Sequence, residues 1–166
     1  MLKEKIKTLP ELIGIRKQLR QLRKKVVFTN GVFDLLHRGH VEYLEKARSL
    51  GDVLMVGINS DASAKLVKGS WKPLVSQEDR ALVLAGLSSV DYICFFTEET
   101  PHSIISALSP DILVKGGDYH LDEIVGRDVV ESGGGRVVTI ALTPGMSTTD
   151  VVKRIAKLLK EGKISA

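Results

Sequence analysis

Two histidines three residues apart, His37-Arg38-Gly39-His40, follow an extended apolar run and open a helical pattern. The run is Val26 to Thr29, and the connection between them reads Asn30-Gly31-Val32-Phe33-Asp34-Leu35-Leu36. A helix N-terminus carries unpaired backbone N–H groups and the positive end of the macrodipole, so two imidazoles placed there add donors to a site that already favours an anion. Gly39 keeps a side chain away from the place a phosphate would approach. The competing readings are weaker. His40 could simply cap the helix and His37 lie in a surface loop. A zinc pair lacks a third ligand at suitable spacing, and no nucleophile-elbow pattern supports a serine or cysteine hydrolase. Cys94, within Tyr92-Ile93-Cys94-Phe95-Phe96, reads as a buried thiol acting as a small hydrophobe.

Further groups with chemical potential sit at other strand ends. Lys115-Gly116-Gly117-Asp118 puts a cation beside flexible backbone, and Ser147-Thr148-Thr149 places three hydroxyls at the start of the last helical pattern. Those hydroxyls suit either an N-cap or a bound phosphate. Asn59 and Asp61 follow the second apolar run, while Lys65 to Pro73 combines lysines with Gly69, Ser70 and Trp71 and reads as a mobile loop interrupting the helical pattern.

The elements that must position these residues follow from hydrophobic periodicity. Strands are expected at Val26 to Thr29, Val53 to Ile58, Tyr92 to Phe96, Ile112 to Val114 and Arg136 to Ile140. Helices are expected at about His40 to Leu50, Ser76 to Leu87, Pro101 to Leu108, Glu123 to Ser132 and Thr149 to Lys160. This alternation implies an α/β, Rossmann-like, doubly wound five-stranded parallel sheet with helices on both faces. Ligands of such sheets bind beyond the carboxyl ends of the strands, which is where the candidate groups fall. Residues 1–25 read as a basic helical extension, with Leu9, Leu12, Ile15, Leu19 and Leu22 facing the domain or a second subunit; residues 26–166 form the domain.

The 166 residues, 43% hydrophobic and 27% charged, suit one compact domain rather than a fibrous or disordered chain. The net charge of +4 invites a nucleic-acid reading, but its distribution does not. Residues 1–25 carry +7 and 151–166 carry +4, leaving −7 on 26–150. No nucleic-acid partner is expected. No apolar run approaches the roughly 18 residues of a spanning helix, so no membrane partner and a cytoplasmic location are expected.

Gly31-Val32-Phe33-Asp34 with His37-Arg38-Gly39-His40 resembles the signature of the HxGH nucleotidyltransferase superfamily. Val56-Gly57-Ile58-Asn59-Ser60-Asp61, Val67-Lys68-Gly69, Ile112 to Tyr119 and Ser147-Thr148-Thr149 are similar to the adenylyltransferase domains of ADP-heptose synthases. Together the motifs span about residues 26–155. Three positions depart from the pattern: Arg38 stands where a small residue is common, Val32 where a cysteine is common, and Lys72-Pro73 where Arg-Pro is usual.

The resemblance implies in-line attack by a heptose 1-phosphate on the α-phosphorus of ATP, releasing pyrophosphate without a covalent enzyme intermediate. It implies His37, His40 and Lys115 at the reacting phosphates. Thr29, Asn30, Gly31, Phe33, Gly39, Ser147, Thr148 and Thr149 would contact the nucleotide. Asp34, Asn59, Asp61, Lys68, Arg80, Gly117 and Asp118 would contact the acceptor. Mg2+ would accompany ATP, bridged mainly by phosphates, with no metal ligand assigned. Many relatives carry a fused sugar kinase that these residues do not include, so a separate heptose kinase is an expected partner, and a homodimer a further expectation. The rivals are a glycerol-3-phosphate cytidylyltransferase and a non-catalytic nucleotide-binding module.

Overall fold

The computed structural model describes residues 1–117 and 120–165, with Leu121 described by its backbone alone. A single turn at Leu2–Lys5 precedes α1 (Leu9–Gln21) and β1 (Val26–Gly31). Next come α2 (Arg38–Ser49), β2 (Val53–Asn59), α3 (Asp61–Lys68), α4 (Gln77–Ala85), β3 (Tyr92–Phe96) and α5 (His102–Leu108). The chain ends with β4 (Ile112–Gly116), a turn at Leu121–Glu123, α6 (Arg127–Ser132), β5 (Arg136–Ile140) and α7 (Thr148–Lys160). The strands form one parallel sheet in the order β3-β2-β1-β4-β5, so the α/β, doubly wound architecture is the one expected from the alternating pattern.

Strand side chains alternate between two cores. Val27, Leu54, Val56, Ile93, Ile112 and Val114 pack with α2 and α4. Val26, Phe28, Met55, Cys94 and Leu113 pack with α1, α5 and α6 on the other face. Near-continuous apolar strands are what a sheet covered on both sides requires.

Residues 1–25 are part of this packing. Leu12 is fully buried against the second core, and Ile6 bridges to Ile93 with Lys7 N–H donating to Ile93 O at 2.8 Å. The segment thereby covers the β3 edge, where open backbone groups invite pairing with another chain. Leu22, expected on the packed face, is 69% exposed.

Several boundaries differ from the sequence expectation. β1, β2 and β4 run on to Gly31, Asn59 and Gly116, because neighbouring strands continue to supply partners at the polar ends. Lys65 to Lys68, expected in a loop, complete α3, whose start is capped by Ser60 Oγ accepting from Ser63 N–H.

The sheet reverses its winding between β1 and β4, and here it opens. Their ladder holds only at Val27↔Ile112 and Phe28↔Leu113, although both strands continue beyond it. Tyr43 of α2 fills the gap, sharing a 2.6 Å hydrogen bond with Thr29 Oγ1 and donating to Val114 O at 3.3 Å. The crevice at a switch point of this kind is the ligand-binding place of doubly wound sheets.

Candidate active site

A cavity of about 440 Å³ occupies that crevice. His37 and His40 line one side from the start of α2, and Ser147, Thr148 and Thr149 line another from the start of α7. Two helix N-termini, each favouring an anion, thus face one volume. Asn30, Gly31, Phe33, Asp34, Gly39 and Lys68 complete the walls foreseen from the sequence, together with Gly116, Lys72, Leu142, Thr143 and Met146, which were not among the expected contacts. A larger hollow, about 1110 Å³ between Met1–Lys7 and Asp91–Tyr92, lies at the amino end of β3 and holds none of the motif residues. Size alone does not locate the chemistry.

His37 is the N-cap of α2, and its backbone N–H donates to His40 Nδ1 at 3.3 Å. The two rings lie 4.0 Å apart, and His37 Nδ1 is buried with no hydrogen-bond partner among the described residues. A buried polar atom without a partner marks a place built for something else. Burial, helped by the neighbouring His37, pushes the His40 pKa down to about 4, so at neutral pH its imidazole is uncharged, and with Nδ1 accepting its proton lies on Nε2. Gly39 serves this pair directly: a Cβ there would meet the His37 ring at 3.0 Å. The glycine is therefore required by the histidine beside it as well as by space for a ligand.

Phe33 holds φ 49, a left-handed conformation that costs a non-glycine residue about 1 kcal/mol or more. Its neighbours fix it. Val32 O accepts from Arg80 Nη1, and Asp34 accepts from Leu74 N–H at 2.9 Å, Val75 N–H at 3.0 Å and Lys72 Nζ at 2.8 Å. With these partners the Asp34 carboxyl is held below the usual carboxylate range even though burial opposes this. Asp34 is thus an anchor between the histidine loop and residues 72–75. Its oxygens are already engaged, where the resemblance implied a contact to the acceptor. Lys72, whose ammonium also sits 4.5 Å from the Trp71 ring, brings a cation to the cavity that sequence spacing gave no means of finding.

Arg80 departs further from expectation. Its side chain is fully buried, and besides Val32 O it donates to Val75 O at 3.0 Å, Asn59 O at 3.0 Å and Asp61 Oδ1 at 2.7 Å. It is a strut from α4 to the loop after β1, the end of β2 and the start of α3, with its donors committed to the fold. Asp61 is its partner and lines neither site cavity. Thr29 is also fully buried, its hydroxyl used on Tyr43 rather than on a nucleotide. Gly117 takes φ 105 and donates to Ile140 O at 2.9 Å, outside the cavity walls. Asp118 lies outside the described residues.

Lys115 Nζ donates to Asn30 Oδ1, and burial draws its pKa down to about 8. Ser147 Oγ accepts from Asp150 N–H at 3.0 Å, the N-cap foreseen as one of its two readings, while Thr148 Oγ1 donates to Leu35 O at 3.1 Å. Arg38 points along the helix surface to Glu42 at 2.7 Å, and Glu42 in turn accepts from Thr143 Oγ1 at 2.6 Å. The unusual arginine of the motif thereby braces the loop after β5 and stays out of the cavity.

Among the described residues no three His, Cys, Asp or Glu side chains are grouped to hold a metal, and Asp34 is engaged. Nor is any helix of the described residues long and apolar enough to cross a membrane.

Comparison with known proteins places the chain among relatives of known family. The bifunctional protein HldE of Geobacter sulfurreducens is 54% identical over 157 residues, which is 95% of this chain and 32% of that protein. That of Wolinella succinogenes is 53% identical over 152 residues, 92% of this chain and 31% of the relative. The chain therefore spans about a third of the length of these curated relatives. The crystal structure of the lipopolysaccharide core biosynthesis protein from Thermoplasma volcanium GSS1 superposes with a TM-score of 0.59 at 28% identity, covering 72% of this chain and 97% of that one. Pantoate-beta-alanine ligase from Francisella tularensis shares the fold at 14% identity, with a TM-score of 0.62 over 93% of this chain and 78% of its own. Residues 28–154, including both histidines and Ser147 to Thr149, match one family throughout, and the chain belongs to the cytidylyltransferase-like nucleotidyltransferases.

Proposed function

We propose that the protein transfers AMP from ATP to a heptose 1-phosphate, releasing pyrophosphate. The observation that carries this reading is the facing of His37 and His40 with Ser147 to Thr149 across one cavity at the β1/β4 opening. Similarity to the HldE proteins and to a lipopolysaccharide core biosynthesis protein supports a sugar-phosphate acceptor.

An acceptor phosphate oxygen attacks the α-phosphorus, forming a P–O bond as the bond to the bridging oxygen of pyrophosphate breaks. A phosphate is already ionised at neutral pH, so the protein's task is to hold two anions in line and to stabilise charge growing on the α-phosphoryl and leaving oxygens. Neutral His40 can donate to the α-phosphoryl oxygen, the His37 ring lines the same wall, and the N-termini of α2 and α7 can hold the remaining phosphate oxygens. Lys68, Lys72 and Lys115 offset the charge of the two substrates. Mg2+ would enter with ATP as part of the substrate, bound through its phosphates. A sugar kinase activity would supply the acceptor.

Pyrophosphate release tests this. The protein is mixed with ATP or CTP and with heptose 1-phosphate or glycerol 3-phosphate. Release with ATP and heptose 1-phosphate is expected; release only with CTP and glycerol 3-phosphate would replace the reading with a cytidylyltransferase, and nucleotide binding without release would make the protein a binding module.

A further inference from the structure

A second cavity, about 350 Å³, adjoins the histidine cavity and shares Asn30, Gly31, Val32, Lys68 and Gly116 with it. It extends towards the ends of β2 and β3, where Asn59, Glu99, Thr100 and Glu123 line it, with Lys115 at its inner wall. Two joined compartments suit a reaction with two substrates, and their charges decide which takes which.

In the histidine cavity the carboxylate present is Asp34, neutralised by Lys72 and by two backbone N–H groups. In the second cavity Glu99 and Glu123 are exposed, and neither carboxylate has a hydrogen bond or ion pair with a described residue. A triphosphate placed against two bare carboxylates would be repelled, whereas the histidine cavity offers it two helix N-termini and lysines. The second cavity has the opposite gradient. Its cations, Lys68 and Lys115, sit beside the shared wall, and its carboxylates sit farther out on the loops after β3 and β4. The loop carrying Glu99 is held in place by Ser63 Oγ donating to Glu98 O at 2.6 Å and by Ser60 N–H donating to Phe96 O at 2.9 Å.

We infer that Glu99 and Glu123 form the outer wall of the acceptor compartment and select a polyhydroxylated monophosphate, accepting hydrogen bonds from its hydroxyls and repelling a second anionic group. Ionised carboxylates accept without donating, which matches sugar hydroxyls and excludes phosphates. The inference rests on the proposed adenylyltransfer and adds to it the residues that choose the acceptor. Neither glutamate stood out in the sequence: Glu99 is an ordinary charged residue in a loop, and the helix expected from Glu123 begins instead at Arg127.

The test compares the wild-type protein with Glu99→Gln, Glu123→Gln and the double variant, using heptose 1-phosphate and its 1,7-bisphosphate as acceptors. Each single change is expected to raise KM for the monophosphate about fivefold, with kcat and the KM for ATP within about twofold of wild type. The double variant should lose about tenfold of the preference for mono- over bisphosphate, a change that a purely structural role would not produce. Calorimetric titration of the wild-type protein with heptose 1-phosphate separates the two levels of the reading. No binding of the sugar phosphate would overturn the adenylyltransfer reading and this inference with it. Binding and turnover with unchanged acceptor KM and unchanged discrimination in the double variant would overturn the glutamate wall alone.

Discussion

The two ends of the sheet treat their polar groups in opposite ways. At the amino ends of the strands, aspartates close the ladder: Asp111 Oδ2 accepts from Val26 N–H at 2.7 Å, Asp52 Oδ2 from Lys25 N–H at 2.7 Å and Asp91 Oδ2 from Leu54 N–H at 2.8 Å. Basic side chains then complete the same carboxylates, Arg16 on Asp111 at 3.0 Å and Arg48 on Asp91 at 2.8 Å. The exception is Arg16 Nη1, buried without a described partner. At the carboxyl ends His37 Nδ1 has no partner among the described residues, and the side chains of Lys68, Glu99 and Glu123 make no hydrogen bond or ion pair to a described residue. A chain that can satisfy its polar groups at one end and leaves them open at the other has placed its ligand site at the open end.

Arg80 is the strongest challenge to that division, because it lies under the open end and yet is fully engaged. Arg80→Met should behave as a structural loss of about 3–5 kcal/mol, since it leaves several acceptors and Asp61 without their donor. Thermal denaturation should show a fall of roughly 10 °C. An unchanged melting curve with lost turnover would move Arg80 to the ligand side.

At the open end the effect should fall on turnover instead. His40→Ala is expected to lower pyrophosphate release about 10²- to 10³-fold while leaving the melting temperature close to wild type. Retained turnover would remove the histidine pair from the chemistry.

Asp111→Asn probes the closed end. It removes the charge facing Arg16 and one acceptor of the β1/β4 junction, and should cost about 1–3 kcal/mol in denaturant titration with KM for ATP unaffected. A rise in that KM would show that the two ends are coupled.

The smallest effect concerns pH. Lys115 holds its proton below about pH 8 and loses it above, so the cation at the crevice disappears as pH rises. The kcat/KM profile, which reports the free protein, should fall on the alkaline side with an apparent pKa near 8. Lys115→Arg should abolish that limb, because a guanidinium stays charged. His40, held near 4, should contribute no loss between about pH 5 and 8. An alkaline limb that survives Lys115→Arg would assign it to another group.

Much of the fold was legible because its signals are local. Alternating apolar runs and amphipathic stretches locate every strand, and Ser147 before Asp150 marks its helix by side-chain chemistry three residues apart. The histidine pair was legible for the same reason. Roles set by distant partners were not. Asp34 meets Lys72 across 38 residues and Arg80 meets Val32 across 48, so nothing in the spacing shows that the carboxylate is an anchor and the arginine a strut. Lys72 could be seen only as a departure from a motif, and Thr29, expected on the nucleotide, gives its hydroxyl to Tyr43.

The sequence by itself determined the doubly wound sheet, the two helix N-termini with His37, His40 and Ser147 to Thr149, and the acidic character of residues 26–150, since periodicity, capping and composition act over a few residues or none. The tertiary structure decided which polar groups are consumed by the fold and which stay open. That follows from where β1 and β4 part and which side chains the crossovers bring to the gap. A charged residue has the same formula in a strut, an anchor or a binding wall, and only its partners distinguish them.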